Sequence, residues 1–180
     1  MEEFFTGDPH FWHTNIIGFC NRPFDNILEM NEVIATNWNS RVKPGDKIYI
    51  DGDFALKTSI YNIRNLLKRL NGKKYFILGD HDKQIWKCSD LLEEITPLKN
   101  IVIDKIPITI CHWCMRVWSK SHYNAWHLFA HSHGKLEAIG KSHDIGVDNN
   151  GFFPRSFEEL RIIMASKPDN INYIKNRSRK

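Results

Sequence analysis

Short apolar runs alternate along this chain with longer stretches in which apolar residues recur every three or four positions. Phe4 and Phe5 sit in a first strand over 3–6. Leu28, Val33, Ile34 and Trp38 predict a helix over 27–41 that buries those four residues and takes Asn26 as its N-cap. Pro44-Gly45-Asp46 marks a turn before a strand over 47–50. Ile60, Ile63, Leu66, Leu67 and Leu70 predict a second helix, opened by Thr58 or Ser59 and ended at Asn71-Gly72. Apolar runs over 74–78, 101–103, 106–110, 126–129 and 143–147 read as further strands. Ser156-Phe157-Glu158-Glu159 is a capping box that opens a last helix through about Ala165. Strands alternating with helices imply a layered α/β fold with parallel strands inside. No repeat, low-complexity tract or linker interrupts the pattern, so residues 1–174 read as one domain.

The chain has 180 residues, enough for one domain with a sizeable core. Its net charge of +4 is uneven, because residues 175–180 carry four basic side chains and no acidic one. That segment reads as a disordered, solvated tail. Weak attraction to nucleic acid is the alternative, and nucleic acid is not the favoured partner. Met1-Glu2-Glu3 does not open a secretory leader, and no run approaches the roughly 20 apolar residues of a membrane span. The expectation is a cytoplasmic protein with reduced thiols and no membrane partner. Cys111 and Cys114 have the spacing of a redox or zinc pair. No second pair completes a zinc ribbon, so packing is their expected role.

Five segments carry the chemistry: Asp8-Pro9-His10, Gly52-Asp53, Gly79-Asp80-His81-Asp82, His112 and Ala130-His131-Ser132-His133. Each comes just after a predicted strand. Open α/β sheets bind ligands beyond the carboxyl ends of their strands, so these groups are expected to converge on one edge. Asp8 and His10, two apart, would face the same side of an extended segment. Charges this close to apolar strands are costly to bury unless they meet a cation. Any one of them alone would pass for a turn residue or a core histidine; it is their ordered co-occurrence that points to metal.

This ordered series resembles the calcineurin-like metallophosphoesterase superfamily, in particular its small single-domain bacterial and phage members. The resemblance spans roughly residues 4–160. It implies a layered β-sandwich flanked by helices (α/β/β/α) and a dinuclear centre that hydrolyses phosphoesters through a metal-bridging hydroxide. It assigns Asp8, His10 and His133 to one ion, position 80, His112 and His131 to the other, and Asp53 to both. It assigns His81 to catalysis, with Asp82 placed to orient its ring. The cofactors expected are two divalent ions, Mn first, with Fe, Zn or Ni also compatible with N and O ligands. The substrate expected is a small phosphodiester such as a nucleotide-like compound, although the same scaffold also cleaves monoesters. Two positions depart from the pattern. Asp80 replaces Asn and adds a negative charge, which leaves a weakly active or non-catalytic binding module as the alternative reading. Ala130 replaces Gly, which suits a backbone with negative φ.

Other residues near the motifs carry weaker expectations. His13 is either a substrate contact or a surface residue. Asn15 would cap a turn. Arg116 is placed for a bidentate phosphate contact or for an ordinary salt bridge. Phe11, Trp12 and Trp118 could stack on a base, with core packing the commoner role. His122, His127 and His143 lie outside the motifs and read as structural.

Overall fold

The computed structural model describes residues 1–175. Its first sheet pairs β1 (Glu3–Gly7), β2 (Lys47–Asp51), β3 (Lys73–Ile77) and β4 (Glu94–Thr96) in parallel, in the order β4-β3-β2-β1. The two-residue β9 (Arg155–Ser156) adds antiparallel to β1. The second sheet runs β5 (Lys99–Ile103), β6 (Ile106–Ile110), β7 (Trp126–Phe129) and β8 (Ser142–Asp144). β5 and β6 form a hairpin, while β6, β7 and β8 are parallel. The hairpin turns on Asp104 and Lys105, both at positive φ, which suits the twist of the flanking strands.

Alternation along the strands builds two cores. Phe4, Ile48, Ile50 and Phe76 face outward to helices α2 (Ile27–Arg41) and α3 (Ile60–Arg69). Phe5, Tyr49 and Ile77 face the other way, against Ile108, Ile110, Trp126 and Leu128 of the second sheet. Both faces of the parallel sheet are therefore buried, which explains its nearly continuous apolar strands. Helix α4 (Phe157–Ala165) adds Phe157, Leu160 and Met164 to the inter-sheet core. Each fully buried apolar side chain contributes roughly 1.5–3 kcal/mol. The arrangement is the expected mixed α/β fold of two sheets with flanking helices.

Local chemistry sets the helix limits. Asn26 accepts from the N–H groups of Leu28 and Glu29 at 3.0 Å each, and Ser59 accepts from Asn62. The Ser156/Glu159 capping box is fully formed. Three expectations shift. Leu28 is 71% exposed, and Met30 takes the inward place, in phase with Ile34 and Trp38. Residues Thr14–Phe19 form a short helix α1 that contains Asn15 instead of being capped by it. The strand expected over 143–147 is Ser142–Asp144, and Val147 begins a 3₁₀ turn. Of the basic tail, Lys175 is exposed with its Nζ 3.9 Å from Asp169; residues 176–180 lie outside the described residues. No helix among the described residues is long and apolar enough to cross a membrane.

Candidate metal centre

The predicted ligands leave the carboxyl ends of parallel strands in both sheets. Asp8 follows β1, Asp53 follows β2, Asp80 follows β3, His112 follows β6, and His131 and His133 follow β7. A parallel bridge between Gly7 and Gly146 ties the sheets together at this edge. Both sets of loops therefore meet in one place.

The backbone there is strained. Asp8, His10, Asp53, His131 and His133 have φ of 51°, 51°, 47°, 64° and 47°. Each such residue costs roughly 1–2 kcal/mol relative to ordinary backbone. Asp8 and His10 thus share a site because two left-handed residues bracket Pro9, which differs from the expected extended segment. Surrounding hydrogen bonds hold the strain in place. The N–H groups of Asp8, His10 and Phe11 donate to the carbonyls of Gly52, Asp53 and Phe54 at 3.2, 3.0 and 2.9 Å, zipping the two loops past the strand ends. Glycine is required beside them: a Cβ at Gly52 would lie 2.6 Å from Gly79 N and His112 Nδ1, and one at Gly79 would lie 2.5 Å from Asp53 Oδ1. Ala130 takes negative φ, so its methyl adds no such strain.

Two triads result. Asp8, His10 and His133 each bring a ligand atom within 4.8 Å of the others, and so do Asp53, His112 and His131. Asp53 Oδ2 lies between them, 3.6 Å from His10 Nε2 and 3.6 Å from His112 Nε2. His133 Nδ1 is 3.9 Å from Asp8 Oδ2. Asp80 adjoins the second triad through His131, Oδ2 to Nδ1 at 3.6 Å, and both side chains are half exposed.

The buried part of this cluster is electrostatically incomplete. Both Asp8 oxygens, His10 Nε2 and His112 Nε2 are buried with no hydrogen-bond partner. Unpartnered charge of this kind is costly, and a cation would relieve it. The donor atoms are carboxylate oxygens and imidazole nitrogens without thiolate, a set that fits Mn, Fe, Zn or Ni. Burial and neighbouring charge shift these groups accordingly. Burial pushes the Asp8 carboxyl well above its usual range. Burial also pushes His10 down to about 3. At His112 burial acts downward, but the Asp53, Asp51 and Asp8 carboxylates outweigh it and push the imidazole up to about 10. His112 Nδ1 pairs with the Asp51 carbonyl at 3.0 Å, which leaves Nε2 turned to the carboxylates.

Several expectations need correcting in detail. Asp82 does not touch the His81 ring. Its carboxylate accepts from the backbone N–H groups of Asp53, Phe54 and Gly79 at 2.8, 3.0 and 2.7 Å, so it braces the β2 and β3 loops against each other. His81 is exposed; its N–H donates to Asp53 Oδ1 at 3.0 Å and its Nε2 is 3.9 Å from Asp53 Oδ2. His81 and Asp82 also line a cavity of about 50 Å³ with Lys57, Thr58 and Gln84. His13 is buried, not a surface residue, with Nδ1 3.3 Å from His10 Nδ1 and its ring 6.5 Å from that of His81. Arg116 is exposed and has no ion pair among the described residues, so the salt-bridge alternative is absent.

Stacking by Phe11 is excluded, because it is fully buried. Trp12 packs against the helical core, and Trp118 donates its Nε1–H to the Ala125 carbonyl. The exposed aromatics beside the centre are Trp113, edge-on to His112, and Phe19, edge-on to His13. His127 is structural as expected: Nδ1 pairs with the Thr109 carbonyl and Nε2 accepts from Met115 N–H. All four cysteines are free thiols.

Sequence reasoning missed Arg22, Asp51, Asp144 and Asp148. Asp51 is fully buried with neither oxygen paired. Asp144 accepts from Ser132 Oγ and from the N–H of Gly134 and Gly146, which shapes the loop bearing His131 and His133. Asp148 Oδ2 lies 2.8 Å from His133 Nδ1 and also meets the Arg22 guanidinium. Asp148 follows the Ile145-Gly146-Val147 run much as Asp8 follows Phe4-Phe5-Thr6-Gly7, and that signal marks it; Asp144 follows Lys141-Ser142-His143, and no apolar run announces it.

No family model matches the sequence. An uncharacterized protein of Methanocaldococcus jannaschii is 49% identical over 77 residues, which cover 42% of this chain and 44% of that one. The match thus spans less than half the length of that relative. The crystal structure of an Aquifex aeolicus protein of unknown function superposes with a TM-score of 0.74 at 24% identity, covering 90% of this chain and 98% of that one. The fold is therefore shared with that protein. An archaeal phosphodiesterase gives a looser overlay, with a TM-score of 0.46 at 17% identity over 81% and 82% of the two chains.

Proposed function

We propose that this chain is a phosphoester hydrolase that works with two divalent cations, Mn the first choice, on small nucleotide-like phosphodiesters. One observation supports this reading above others. Two three-residue groups of Asp and His share one site, and four of their inward atoms, Asp8 Oδ1 and Oδ2, His10 Nε2 and His112 Nε2, are buried without a partner. Asp8, His10 and His133 would hold one cation, Asp80, His112 and His131 the other, and Asp53 would serve both. When bound, the pair would activate water and neutralise charge at phosphorus.

The chain's own groups would do the rest. The exposed imidazole of His81, beside Asp53, would donate to a phosphoryl or leaving oxygen. Asp82 would keep the Asp53 and His81 loops in register without touching substrate. The exposed Arg116 guanidinium would clasp a phosphate through two N–H donors. The Asp80 carboxylate brings an extra charge of the same sign as the substrate, which would slow the reaction relative to Asn. Hydrolysis of bis-p-nitrophenyl phosphate with added Mn²⁺, compared with the monoester, tests the reading. Mn²⁺-dependent diester cleavage is expected. No turnover of either ester, by this chain or by Asp80→Asn at saturating Mn²⁺, would overturn it.

A further inference from the structure

His133 ends a buried ionic chain whose other members, Asp148 and Arg22, lie outside the five motifs. Its Nδ1 lies 2.8 Å from Asp148 Oδ2. Arg22 grips the same carboxylate with two donors, Nε to Oδ1 and Nη2 to Oδ2, at 2.8 Å each. The guanidinium also donates to the backbone carbonyls of Asp8 (Nη2, 2.8 Å) and Pro9 (Nη1, 2.9 Å). The Arg22 side chain is 0% exposed and that of Asp148 is 9% exposed. One cation therefore ties the backbone of the first motif to the carboxylate on which His133 rests.

Burying such a pair is favourable only when its remaining hydrogen-bonding capacity is met, and here it is met by the two carbonyls and the imidazole. A carboxylate behind an imidazole decides which nitrogen carries the proton. Paired through both oxygens with the Arg22 guanidinium, Asp148 is a carboxylate that accepts the Nδ1 proton of His133 and leaves a lone pair on Nε2. His112 is fixed by the Asp51 carbonyl instead, and the carboxylate beside His131 Nδ1 is the half-exposed Asp80 at 3.6 Å.

We propose that Asp148, clamped by Arg22, is a positioning residue that sets the tautomer of His133, so that the Asp8–His10–His133 subsite depends on it while the other subsite does not. This rests on the two-cation reading above. Cys20, His133 and Asp148 also lie close enough to share an ion. Both Asp148 oxygens are already engaged, which favours the role of hydrogen-bond acceptor over that of ligand.

Calorimetric titration of the metal-free protein with Mn²⁺ counts ions and affinities without needing turnover. Two ions are expected for the unaltered chain. Asp148→Ala should weaken one of them about 10–100-fold and leave the other unchanged. Asp148→Asn keeps an oxygen acceptor without the charge and should fall between; it carries the comparison alone if the alanine variant does not fold. Unchanged affinities would overturn the proposal, and so would an equal loss at both ions, which marks a folding defect. Cys20→Ser tests the ligand alternative with Zn²⁺: a loss matching that of Asp148→Ala would make Asp148 a ligand and end the proposal. If the unaltered chain takes up no Mn²⁺ at all, the two-cation reading itself fails.

Discussion

The two halves of the centre are built differently. On one side Asp8 is 0% and His10 3% exposed, and each histidine has an outer partner, His13 for His10 and Asp148 for His133. On the other side His112 is just as buried, but His131 and Asp80 are half exposed and pair with each other at 3.6 Å. Asp53 stands between, within 3.6 Å of a histidine from each. The difference resembles that between a closed metal site, whose ligands are fixed, and an open one that keeps room for water and substrate. On the proposed reading, the closed half retains its ion and the open half exchanges.

The largest expected effect comes from the residue common to both halves. Asp53→Ala should lower diester hydrolysis about a thousandfold or more, the scale set by several kcal/mol of lost charge stabilisation. A mild loss in steady-state turnover would mean that the halves do not share this carboxylate. Next, Asp8→Ala should cost more Mn²⁺ affinity than Asp80→Ala, because Asp8 is buried and unpartnered whereas Asp80 is screened by solvent. Equal losses by titration would erase the distinction. Removing metal with a chelator should lower the melting temperature, since ions at a hundredfold over Kd stabilise by about 2.7 kcal/mol. Scans with and without EDTA that superimpose would contradict that. Asp80→Asn should raise turnover severalfold, as one negative charge leaves the open half. The smallest effect is expected from His13→Ala, which removes one hydrogen bond to His10, worth roughly 0.5–1.5 kcal/mol. A loss on the scale of Asp53→Ala would give His13 a direct role in the reaction.

What the sequence revealed follows from the range of the interactions. Asn26, Ser59 and the Ser156/Glu159 box act within one turn of their helices, so caps and helix limits were legible from neighbouring residues. The clustering of these Asp and His groups was legible because each follows a strand and parallel strands end on one side. Strands β4 and β9, three and two residues long, exist through pairing and carry no periodicity of their own. The inward place of Met30 over Leu28 depends on helix phase against the sheet. Asp82 follows His81 directly, yet its carboxylate crosses to a loop 29 positions earlier. Arg22 meets Asp148 across 126 positions, and no local pattern announces such a contact.

Anomalous scattering from a crystal grown in Mn²⁺ tests the central claim most directly. Two peaks are predicted in one site, the first against Asp8, His10 and His133, the second against His112 and His131, with Asp53 between them. A site that holds no ion at saturating Mn²⁺, or ions bound only elsewhere on the molecule, would contradict it.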